Sequence, residues 1–137
     1  MNWKVFLVVL FSLAILDFIW MGFITQKFYV SQLEPIGRIK DGRFEVVYWA
    51  GFVVYALLAL GVVTFVIPKL TVADPLTTAF LYGGLFGLVT YGVYDFTNIA
   101  ILKDWGILVS AADVAWGVVS VGSATTLGHW VQSNILN

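Results

Sequence analysis

With 137 residues, 61% of them hydrophobic and 11% charged, the chain is more apolar than an ordinary soluble domain, which runs nearer half apolar and a quarter charged. A formal net charge of −1 with no basic block gives nucleic-acid binding no support. The absence of cysteine removes disulfides and thiol metal sites, and the single histidine removes a multi-histidine centre within one chain.

In chain order, the sequence shows four apolar runs, over roughly 3–24, 46–67, 76–102 and 105–131. Each is long enough for a helix to cross about 30 Å of hydrocarbon. The first carries Lys4 at its very start, as a signal peptide would. It lacks an A-x-A cleavage pattern and exceeds a signal peptide's apolar stretch, so it reads as a retained span. Pro68 ends the second run and Pro75 opens the third. The expectation is an all-α integral membrane protein, a four-helix bundle running up-down-up-down, as one domain over 1–137.

Loop one (25–45) carries Lys27, Arg38, Lys40 and Arg43, and loop three (103–104) carries Lys103. The opposite side has only Lys4 and Lys69. The positive-inside rule then expects both loops in the cytoplasm and both termini outside. Trp3, Trp105 and Trp130 fall at expected span ends, as interfacial anchors do. Loop one mixes Phe28, Tyr29 and Ile39 with its charges and is expected to lie along the interface, against membrane lipids.

Three acids fall inside the runs: Asp17, Asp95 and Asp113. Alternating spans put all three roughly 10–14 Å in from the same side, at 1.5 Å per residue. The second run enters that layer with Glu45, Tyr48, Trp49, Phe52 and Tyr55. On the third, Tyr91, Asp95 and Asn98 follow i, i+4, i+7 and share a helix face, flanked by Tyr94 and Thr97. The first and fourth carry one short pattern twice, Asp17-Phe-Ile-Trp20 and Asp113-Val-Ala-Trp116. At i, i+3 each indole lies a turn from its own acid and can donate to it. No lysine, arginine or histidine falls inside the layer. Three carboxylates cannot all stay ionised in low dielectric without a cation, so a proton or a bound cation is expected among them.

The plainer reading of each acid is a hydrogen-bonded group that fixes helix register, since polar side chains do join membrane helices. Acids inside a membrane are nonetheless functional candidates by default. Gly83-x-x-x-Gly87 and the ridge Ser120, Ala124, Gly128 read as close contact within the bundle. His129 reads as a surface residue at the outer interface. Apart from Lys4 at the very start of the first, no lysine lies within a run, so a retinal Schiff base is not expected, and no protease, hydrolase or phosphate-loop motif occurs. No cofactor and no metal is expected; a haem pair would need histidines from two chains.

The pattern Y-D-F-T-N, six residues, Trp105, seven residues, D-V-A-W-G, spanning Tyr94 to Gly117, resembles the signature of an uncharacterised bacterial membrane family, domain of unknown function 2177. The Asp17-to-Trp20 stretch and the overall size agree with it. The resemblance implies a four-helix protein of the bacterial inner membrane and carries over no catalytic residue. Genes of that family often neighbour those of fatty-acid-modifying enzymes, which by resemblance alone tilts the ligand toward lipids.

The expected function is binding of a lipid-like or amphipathic small molecule, in a pocket open to the inner half of the bilayer. Asp17, Asp95 and Asp113 would take its polar head; Trp20, Tyr48, Trp49, Tyr91, Tyr94, Asn98 and Trp116 would line it. A protonated and an ionised Asp could also act as acid and base on such a substrate. The rival is a proton- or cation-coupled carrier, which at this size works as a homodimer. A third reading is a structural subunit of a larger membrane complex.

Overall fold

The structure is a computed structural model and describes residues 2–136. Four helices are long and apolar enough to cross a membrane: Trp3–Ile24, Tyr48–Lys69, Leu76–Ile101 and Ile107–Leu136. They pack against one another as the expected four-span all-α bundle. Spans one, two and four are composite. Helix α1 (Trp3–Ile19) runs into a π-turn at Trp20–Ile24, α3 (Tyr48–Gly61) into one at Val62–Val66, and α5 (Ile107–Val131) into one at Gln132–Leu136. Asn2 caps α1 by accepting from the Lys4 amide at 3.1 Å. The backbone and hydroxyl of Thr25 both donate to Trp20 O, closing the first span where its own amides run out. Pro68, which has no N–H to donate, stops the second.

The first connection is more structured than a bare interfacial loop. It holds α2 (Gln26–Leu33) and a hairpin pairing β1 (Ile39–Lys40) with β2 (Arg43–Phe44). Asp41 and Gly42 take positive φ at 51° and 71°, the two-residue turn that Asp-Gly favours. Lys40 and Glu45 stand 3.9 Å apart across it, both well exposed, and form the only ion pair among the described residues.

Inside a bilayer the usual rule inverts: large apolar side chains face outward and small ones let backbones approach. Phe11, Ile15, Phe18, Phe52, Leu81 and Phe96 all lie on the outside. The closest packing joins α4 (Leu76–Ile101) to α5. A Cβ at Gly83 would meet the Thr125 side chain and Val121 O, and one at Gly87 would meet the backbone of Gly117. Helix α1 seats Val5 and Val9 against Gly128 of α5. The apolar core of Val5, Val9, Leu13, Val62, Val66, Ala79, Val121 and Ala124 lies at this end. Glycine pairs and the small-residue ridge are therefore spent inside the bundle, as the sequence reading expects.

His129 is a correction. It is buried, and its Nε2 meets the Asp74 carbonyl oxygen at 3.1 Å. A carbonyl can only accept, so that nitrogen carries the hydrogen. The ring is held against the Asp74 carbonyl, in the connection between the second and third spans, and is only 3% exposed.

Candidate functional site

At the opposite end from the apolar core, the acids meet a set of indoles and phenols. Antiparallel packing of α1 and α5 determines who pairs with whom. The two D-x-x-W segments run in opposite directions, so the Trp of one lies level with the Asp of the other. The pairing is accordingly crossed. Trp116 Nε1 donates to Asp17 Oδ1. Trp20 Nε1 donates to the Tyr29 hydroxyl at 3.4 Å, and Tyr29 donates to Asp113 Oδ1 at 3.1 Å. Between these two levels the indoles of Trp20 and Trp116 stack, with centroids 4.3 Å apart and planes 3° from parallel. Neither indole serves the Asp on its own helix, contrary to the expectation from spacing.

Tyr29 comes from α2, the helix of loop one, and is 2% exposed. Burial pushes its phenol well above the ordinary tyrosine range, which keeps the proton it donates to Asp113 in place. Sequence reasoning left Tyr29 in an interfacial loop. Nothing in the residues around it (QKFYVSQL) marks it out, because its burial depends on α2 folding back under the bundle.

Asp95 on α4 is the most enclosed acid, 0% exposed. Neither of its oxygens has a hydrogen-bond partner among the described residues. Its polar surroundings are Ser110, the Asp113 carboxyl and Trp105. The Trp105 indole is directed to Ser110 Oγ at 2.8 Å, and Tyr94 packs edge-on to Trp105 at 5.7 Å. Trp105, read from the sequence as an interfacial anchor, thus also serves the acid layer. Asn98 is half-buried one turn on, beside Tyr94.

Tyr91 stands between the two halves of the layer, near Asp17, Asp113, Tyr55 and Ser120. Gly117 makes room for it: a Cβ there would strike the Tyr91 Cβ at 2.8 Å. The Gly that follows D-V-A-W is therefore needed for a ring on the neighbouring helix.

Asp17 borders a cleft of 860 Å³ between α1 and the start of α3. Tyr55 of α3 reaches the Asp17 carboxyl. Phe18, Met21, Phe44 and Phe52 form apolar walls, and Arg43 of the hairpin and Gln26 of α2 border it from the loop side. Tyr48 lies on the rim of this cleft but is 84% exposed, and Trp49 is 74% exposed and does not border it. Both occupy the first turn of α3, before that helix closes on α1. Of the ten residues expected to line a site, the structure gathers Asp17, Trp20, Tyr91, Asp95, Asp113 and Trp116, keeps Tyr94 and Asn98 at the edge, places Tyr48 on the rim of the cleft that Asp17 borders, and sets Trp49 outside it.

Among the described residues, no three His, Cys, Asp or Glu side chains approach closely enough to hold a metal ion. Asp17 faces the cleft while Asp95 and Asp113 face each other, so the acids form one single site and one pair. Among the described residues, no Lys or Arg forms an ion pair with any of the three. The chemistry open to this arrangement is hydrogen bonding to a polar head at Asp17 and proton holding at the pair.

No curated protein and no solved structure matches the chain. A family model described as "Predicted membrane protein (DUF2177)" matches residues 2–130, nearly the whole length. The chain belongs to that family of membrane proteins.

Proposed function

We propose that the protein binds a lipid-like, amphipathic molecule in the cleft between α1 and α3. The observation that carries this reading is the cleft itself: 860 Å³, with aromatic and aliphatic walls and polar groups at two depths. Its volume falls within the range of small-molecule sites, which are mostly apolar with a few placed polar groups. Asp17 and Tyr55 hold a hydrogen-bonding head at the deeper level, and Arg43 meets an acidic group at the loop level. The rest of the molecule lies along Phe18, Met21 and Phe52, open to the bilayer it comes from.

The test is mass spectrometry of the protein purified in mild detergent. One lipid class enriched over the bulk extract is expected. A Cβ at Gly51, which borders the cleft, meets nothing within 4 Å. Gly51→Phe therefore brings a ring to the cleft wall from a position whose Cβ is unobstructed, and should lose the enriched lipid. Bulk lipid composition in the unaltered protein, or the same enrichment in Gly51→Phe, would remove the reading.

A second reading, a proton-coupled carrier, draws support from the enclosed Asp95–Asp113 pair, since such acids serve proton relays in transporters. Substrate-dependent proton flux in liposomes would favour it over simple binding.

A further inference from the structure

The hydrogen bonds around Asp95 and Asp113 have a fixed direction. An indole N–H can donate but never accept. Trp105 donates to Ser110, which stands beside Asp95. Trp20 donates to Tyr29, which donates to Asp113. One chain thus runs from an indole to the Asp113 carboxyl with its donors spent, and the other stops at Ser110, short of Asp95. The two carboxyls then face one another as acceptors. Acceptor against acceptor is repulsive, and Asp95, 0% exposed, has no hydrogen-bond partner for either oxygen. One hydrogen placed between the two carboxyls resolves both problems.

We propose that Asp95 and Asp113 form a proton-binding site that holds a single shared proton between the two carboxyls. The ligand is the proton itself. The site stands independently of the lipid cleft, which borders Asp17 and not this pair. The titratable groups that face the pair from the packed elements are Tyr29 of α2, Asp17 of α1, and Tyr91 and Tyr94 of α4. All are acids or phenols, and none offers a positive charge to replace the proton. One shared proton is enough to give the two facing oxygens a donor between them.

Asparagine gives a discriminating test, because its amide supplies the hydrogen that the proton supplies. Infrared difference spectra at neutral pH are recorded on the full chain in lipid nanodiscs, following the protonated-carboxyl C=O band. Asp95→Asn should lose one carboxyl's worth of band, and so should Asp113→Asn. The double variant should lose no more than either alone. Two independently protonated acids would instead show twice the loss in the double variant, which overturns the sharing. No loss in any variant overturns the proton. Should the double variant fail to fold, an Asp17→Asn background carries the test: adding Asp95→Asn must abolish the remaining band, and a surviving half refutes the proposal. Sodium chloride exchanged for a bulky organic cation must leave the band unchanged; a band that grows when sodium is removed makes this a sodium site instead.

Discussion

The contact between α4 and α5 can be tested with two glycines of one helix. A Cβ added at Gly87 would meet the backbone of Gly117, reaching its carbonyl carbon at 2.7 Å and Val121 Cβ at 3.0 Å. Restoring an ordinary contact of 3.4 Å to that carbon alone would part the helices by about 0.7 Å, and the Gly117 carbonyl oxygen, nearer still, demands more. Neither neighbour is a flexible side-chain end that can swing away. Overpacking of this kind costs about 1–3 kcal/mol. Alanine also gains about 1 kcal/mol of helix propensity over glycine. Gly92, five residues on in the same helix, has nothing within 4 Å of an added Cβ. Gly92→Ala should keep the propensity gain and lose no packing, whereas Gly87→Ala should be net destabilising. The two variants should differ by roughly 2 kcal/mol in unfolding free energy, from the same overpacking range. Denaturant titration in detergent, followed by helical circular dichroism, reads the difference. Equal shifts, or a more stable Gly87→Ala, would refute the account of the α4–α5 approach.

Trp116→Phe keeps a ring in the stack but removes the donor to Asp17, and should cost about 1–3 kcal/mol; the loss must shrink in a cycle with Asp17→Ala, and simple additivity would show that the indole N–H does not act on that acid. His129→Ala should destabilise by a similar amount of about 1–3 kcal/mol, because the Asp74 carbonyl loses its donor in a packed end of the bundle; an unchanged unfolding midpoint would count against it. Asp74 lies in the loop before Pro75, where the Thr71 backbone N–H and hydroxyl hold its carboxyl below the usual range. A lowered folded value means that the stabilisation is present above the unfolded value near 3.8 and fades as pH falls through the folded one. Unfolding midpoints taken between pH 6 and about 2 should therefore fall less steeply in Asp74→Asn than in the unaltered chain; parallel curves would refute the turn's contribution.

The spans were legible because crossing hydrocarbon demands a length and a composition that little else in a sequence satisfies. The third was expected over 76–102 and runs Leu76–Ile101; the second was expected over 46–67 and runs Tyr48–Lys69. The common depth of Asp17, Asp95 and Asp113 followed from the alternation of spans alone. What the sequence could not convey was which helix lies beside which. The i, i+3 spacing correctly puts Trp20 near Asp17 and Trp116 near Asp113 along each chain. It says nothing of the rotation that sends each indole across to the other helix. The same ignorance of neighbours hid Tyr29 and misplaced His129. The hairpin is a different case: Asp41-Gly42 is a local turn signal, but its strands are two residues each, too short to show an alternating pattern.

The stacked indoles of Trp20 and Trp116 have one consequence that is optical. Two like chromophores 4.3 Å apart and nearly parallel share their excited state. Their near-ultraviolet signal therefore belongs to α1 and α5 jointly and is sensitive to any sliding between them. The protein carries its own label at the centre of its acid layer, readable in a membrane without attaching a dye.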